Sequence, residues 1–156
     1  MKAASVKDFK IELANCSHDE LKEMVLHLVK FKKENKELLT YLLFEARDEE
    51  GYIQGVKREM DQQFDGFNMS HIYFVKKQVR KTLRLTKNHI RFSKKKQTEV
   101  ELLIHFCKRL KNLKPGILNE PALRKLLDRQ LDLVQKSLLS LHEDLRYDYQ
   151  KEIEMI

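Results

Sequence analysis

The sequence predicts an all-α protein of six to seven helices. Three observations carry that expectation. Apolar residues recur three and four positions apart along most of the chain. Glycine and proline number 4 and 2 in 156 residues, too few for the turns of a β-sandwich or barrel. No apolar/polar alternation of strand length is bounded by turn residues at both ends. An apolar content of 42% is enough for a core, and the length argues for a single domain over 1–156. Short helices that begin as hairpins, in the manner of an α-solenoid or bundle, are expected over 1–65. A basic helix fills 66–98, and a hairpin with a long final helix fills 99–156.

The elements follow from local signals. Val6, Phe9 and Leu13 mark a short opening amphipathic segment. Ser17-His18-Asp19-Glu20 reads as a capping box, in which the Ser hydroxyl and the Glu carboxylate satisfy backbone N–H groups reciprocally. Leu21, Met24, Val25, Leu28 and Phe31 then keep helical spacing. Asn35 is the next candidate N-cap, ahead of Leu38, Leu39, Leu42 and Leu43, which gives a helical hairpin. From about Asp48, Tyr52, Val56, Met60 and Phe64 define one face, closed by Asp65-Gly66. Asn68 or Ser70 would cap a helix from about 70 to 93. Thr98-Glu99-Val100-Glu101 reads as another helix start, and Lys114-Pro115-Gly116 as its stop. Asn119 would cap the last helix, with Pro121 in its first turn.

No breaker follows Pro121, so a single helix could run on to Ile156. Leu127, Leu131, Val134, Leu138, Leu141 and Leu145 are spaced 4-3-4-3-4 along it. That row is a candidate self-association seam, which would make a homodimer through the C-terminal helix. The two-row apolar stripe made with Leu126 and Leu133 suits packing within a bundle instead. From Tyr147 on, too few apolar residues remain to bury much.

The net charge of +7 is concentrated in one segment. Residues 1–65 hold 11 basic and 14 acidic side chains. Residues 66–98 hold 10 basic and none acidic, 99–119 hold 4 and 2, and 120–156 hold 6 and 8. On a helix turning about 100° per residue, Lys77, Arg80, Arg84, Lys87 and Arg91 fall on one stripe. Lys76 and Lys81 sit at its edges, and Lys94, Lys95 and Lys96 extend it into the following loop. Ile72, Val75, Val79, Leu83, Thr86 and Ile90 form the neighbouring apolar stripe. Like charges three or four apart cost a helix a few tenths of a kcal/mol each. Such a ridge is neutralised either by the chain's own carboxylates or by an anionic partner. A phosphate backbone matches repeating Arg and Lys, and an acidic protein partner is the other candidate. Membrane docking fits poorly, because the apolar stripe is needed for the core and tryptophan is absent.

Catalytic and metal motifs are missing. There is no glycine-rich phosphate loop, Gly-x-Ser-x-Gly or His-Glu-x-x-His run. Cys16, His18, His105 and Cys107 have zinc-type chemistry, but His105 and Cys107 are two apart on one helix and point to opposite sides. Glu45, Asp48 and Glu49 share a helical face but lack the histidines of a carboxylate metal site. Neither a metal site nor a cofactor is expected, and the sequence points away from an enzyme. A secretory signal and a spanning helix are not seen, and the two cysteines fit a reducing, cytoplasmic setting.

The opening Val6-Lys7-Asp8-Phe9-Lys10, the start Ser17-His18-Asp19-Glu20-Leu21, Leu28-Val29-Lys30-Phe31 and the lysine-rich middle helix together resemble a family of uncharacterised small bacterial all-helical proteins. The resemblance covers about residues 6–110. It implies a helical-repeat-like fold and a bacterial cytosolic origin, and no activity. The functional expectation is a non-catalytic binding or scaffold module that docks an anionic or protein partner through the basic ridge. The alternative is sequence-nonspecific contact with a nucleic-acid backbone.

Overall fold

The computed structural model describes residues 1–156 and contains eight α-helices and no strand. The all-α expectation holds, with one helix more than the upper count. Contacts divide the chain into two compact units, Met1–Phe44 and Glu45–Ile156. No helix is long and apolar enough to cross a membrane.

The first unit holds α1 (Val6–Ala14), α2 (His18–Phe31) and α3 (Lys33–Thr40), followed by a π-helical turn at Tyr41–Glu45 that leads into the second unit. Two complete capping boxes start α1 and α2. Ser5 pairs with Asp8 in the first and Ser17 with Glu20 in the second. Each satisfies N–H groups that a helix start otherwise leaves to water. Lys32, in an extended conformation, is the whole link between α2 and α3, which pack as a hairpin. Asn35 is not the N-cap of α3. It lies inside that helix, and its side-chain amide donates to the Leu28 carbonyl near the end of α2, 2.8 Å away.

The second unit is built around α6. It comprises α4 (Glu49–Asp65), α5 (Ile72–Ser93), α6 (Lys96–Lys111), a 3₁₀ turn (Ile117–Asn119), α7 (Pro121–Leu138) and α8 (Glu143–Glu154). Helix α6 packs on all four of the others. Almost every side chain from Thr98 to Leu110 is buried or half-buried, and Val100, Phe106, Cys107 and Leu110 are fully so. Around them lie Met60 and Phe64 of α4, Val75, Val79 and Leu83 of α5, Leu123, Leu127 and Val134 of α7, and Tyr149 of α8.

Several element ends differ from the sequence expectation. Neither Asn68 nor Ser70 caps α5. His71 occupies that position without a side-chain bond to the backbone, while Asn68 accepts from the Ser70 N–H. Thr98 does not start α6. A left-handed residue, Lys94 at φ 59°, reverses the chain at once, so α6 begins at Lys96. Thr98 is then buried and donates its hydroxyl to Glu49 of α4. Gly116 is left-handed as expected, at φ 74°, but it is not the exit of α6: that helix has already ended at Lys111, and Gly116 leads into the 3₁₀ turn. Glu120 rather than Asn119 precedes α7, with Pro121 as its first residue.

The long final helix is two helices. The chain turns at 139–142, where Ser140 and Leu141 N–H groups bond back three residues to Ser137 and Leu138. The His142 ring then accepts from the Asp144 N–H and starts α8. A straight continuation would carry Leu145, Tyr149 and Ile153 past the end of the body. The turn brings α8 back against α6 and α7, where Tyr149 is buried and Leu145 and Ile153 pack on the core. The segment after Tyr147 therefore buries more than its composition suggests.

Candidate anion-binding face

The ridge exists because α5 is buried along one side only. Val75, Val79, Thr82, Leu83 and Thr86 are all buried, which fixes the helix's rotation. The opposite side then carries Lys77, Arg80, Lys81, Arg84 and Arg91 into solvent, with Lys94 just beyond the helix end. Lys87 is half-buried at the edge. No carboxylate lies within 4.0 Å of any of these seven cations. At about 1.5 Å per residue, Lys77 to Arg91 spans about 21 Å.

Three members of the predicted set are held differently. Lys76 pairs with Glu120 at 3.1 Å, Lys95 with Glu49 at 2.8 Å and Lys96 with Glu99 at 2.6 Å. The first two tie α5 and the α5–α6 link to α7's start and to α4, and the third is local to the first turn of α6. They leave the centre of the ridge untouched.

The chain's acidic segments are engaged elsewhere. Helix α4 directs Asp61 and Asp65 to Arg109 of α6, and Asp61 also meets the His105 ring at 2.7 Å. Helix α8 directs Glu152 to Lys108 at 2.6 Å. In the other direction, Glu101 of α6 accepts from Lys57 of α4 at 2.7 Å and from the Tyr149 hydroxyl of α8 at 2.8 Å. Burial alone would raise the Glu101 pKa, but the Lys57 and Tyr149 hydrogen bonds outweigh it and hold the carboxyl below its usual range. Burial, aided by the bond to Glu101, pushes the Tyr149 phenol up.

A second row of cations stands opposite the ridge. Lys125, Arg129 and Lys136 of α7 line an open groove of about 680 Å³ whose other wall carries Arg80 and Lys87. The floor between the walls is apolar, made by Leu83, Ala122, Leu126 and Leu133. Gln130 also lines it. Its amide donates to the Leu126 carbonyl, while its amide oxygen is buried without a donor. Asp132 is the single acid on the lining. Sequence reasoning missed the α7 row because 120–156 is acidic in sum. The spacing of Lys125, Arg129 and Lys136 at i, i+4 and i+11 does place them within about 40° on one helical face, and that signal could have found them.

The proposed seam is not laid out as one exposed row. Leu127, Val134 and Leu138 are buried in the unit's own core, and Leu131, Leu141 and Leu145 are half-buried against it. The turn at 139–142 also separates Leu141 and Leu145 from the rest.

Neither metal candidate assembles. No group of three or more His, Cys, Asp or Glu side chains is placed to hold an ion. Cys107 is wholly buried, and burial pushes its thiol up to about 12. Cys16 lies in the other unit. Of the acidic triad, Asp48 caps α4 by accepting from the Gly51 N–H, and Glu49 accepts from Ser93 and Thr98. Comparison with protein-family models, curated proteins and solved structures finds no match.

Proposed function

We propose that this chain is a non-catalytic helical module that docks an anionic partner through the exposed face of α5 and the facing row on α7. One observation carries the reading. Seven cations from Lys77 to Lys94 are without a carboxylate, although two acidic helices, α4 and α8, belong to the same unit and α4 packs on α5 itself. Repulsion along the ridge is thus left for a partner to relieve.

The test is binding of polyglutamate and of a short nucleic-acid duplex at low salt, to the wild type and to a variant carrying Arg80→Glu, Arg84→Glu and Lys87→Glu. Wild type is expected to bind at least one of them with affinity that falls steeply with salt. The variant is expected to lose that binding with its helical circular dichroism unchanged. Unchanged binding by the reversed variant, or no binding by the wild type, overturns the proposal.

A further inference from the structure

Four helices surround α6, and α5 and α7 do not pack on each other. Helices α4 and α5 pack on each other and on α6, and so do α7 and α8. Glu101 joins the two pairs through Lys57 of α4 and Tyr149 of α8. Between α5 and α7 the one ion pair, Lys76 with Glu120, lies at the start of α7, and the gap beyond it is the groove described above.

Two of the filled positions show what this unit accepts. Helices α4 and α8 each carry five acidic and two basic side chains. Each lays one apolar row on the core, Val56, Met60 and Phe64 from α4 and Leu145, Tyr149 and Ile153 from α8. Each also turns carboxylates onto the cations of α6. The open position offers the same chemistry without an occupant. Its floor is leucine and alanine, and both of its rims are cationic.

We infer that the groove between α5 and α7 docks an acidic amphipathic helix of a partner protein. This rests on the reading of the basic face as a docking surface and names what it receives. A helix laid in a groove presents apolar anchors along one face and charge at both edges, which matches a leucine floor between basic rims. A nucleic-acid backbone would use the rims alone. No aromatic side chain lines the groove to stack a base, and phosphates gain nothing from leucine.

The probe is a designed helical peptide with glutamates on one face and leucines at i, i+3, i+4 and i+7 on the other. Its control is a scrambled peptide of the same composition and charge, which lacks the apolar face. The expected result is that the amphipathic peptide binds at least about tenfold more tightly than the scrambled one. It should shift the methyl resonances of Leu83, Leu126 and Leu133 in the wild-type protein, and weaken about tenfold or more with Leu126→Ser or Leu133→Ser. The methyl shifts decide the matter if either variant fails to fold. Equal binding of both peptides overturns the inference while leaving the basic face as a docking surface. So does a nucleic-acid duplex that outcompetes the peptide and ignores the floor variants. If neither peptide nor duplex binds at low salt, both readings fall.

Discussion

The two units bury their apolar side chains to very different extents. In Glu45–Ile156 the large apolar residues converge on α6 and solvent meets charge. In Met1–Phe44 α1 and α2 are well capped and amphipathic, yet Tyr41 is the only buried residue. Phe9 is 54% exposed, Leu28 55% and Phe31 78%. The difference teaches that a good local signal and a buried core are separate achievements. Capping and periodicity suffice to write a helix, whereas burial needs surrounding elements, and α6 has four where α2 has the short α3.

Core truncation should expose the contrast between the units most sharply. Phe106→Ala is expected to cost about 3–5 kcal/mol in denaturant unfolding, because a wholly buried ring leaves a cavity. Phe9→Ala and Phe31→Ala should change stability by no more than about 0.5 kcal/mol. A loss from Phe31→Ala comparable to that from Phe106→Ala would erase the contrast.

A smaller effect is expected at the node that joins α4, α6 and α8. Glu101→Ala leaves the Lys57 ammonium and the Tyr149 hydroxyl without their shared acceptor and should cost about 1–3 kcal/mol. The carboxyl is held below its usual range, so its contribution is present above the unfolded value near ~4.3. That contribution is lost as the pH falls through the lowered folded value, and Glu101→Gln should flatten this part of an acid-unfolding profile.

Alkaline pH probes the core by another route. An unfolded thiol ionises near ~8.5, whereas Cys107 in the core holds its proton up to about 12. The folded state therefore binds more protons across that window, and stability should fall as the pH rises through it. Chemical denaturation of a Cys107→Ala variant, over the same pH range, should show a shallower decline. An unchanged slope would mean that the thiol is not sealed from water.

The smallest effect expected is a gain. Gln130→Leu removes the donor-less amide oxygen at the groove floor and should raise thermal stability by about 1 kcal/mol or less. Thermal melts of the variant and the wild type check this.

Much of the fold is legible from short windows. Ser17 and Glu20 announce α2, Tyr52, Val56, Met60 and Phe64 announce the buried face of α4, and Gly116 announces the left-handed residue that opens the turn before α7. Each of these is local chemistry that repeats wherever the window occurs. Thr98 shows where a window misleads. It has the form of a helix start, but the reversal at Lys94 begins α6 two residues earlier, and its hydroxyl then meets Glu49 from 49 residues away. The turn at 139–142 is of the same kind. Nothing in Leu139-Ser140-Leu141-His142 forbids a helix, and what bends it is the core that α8 returns to cover.

For the candidate site, the ridge on α5 was readable because ten cations without an acid stand out in any window. Its partner row on α7 was not, because Lys125, Arg129 and Lys136 are diluted by the eight acids of 120–156, of which only Asp132 lines the groove.

By itself, then, the sequence determined the helical class, most helix faces and the placement of excess charge on one segment, since each follows from spacing and residue type within a few turns. Only the tertiary structure decided that α6 is the centre and that α7 ends at Leu138. It also decided that the acidic helices pair with α6 while the ridge on α5 stays open. Those outcomes depend on which surfaces lie within about 4 Å of one another, and residues 44 to 49 positions apart reach that distance only once the chain has folded.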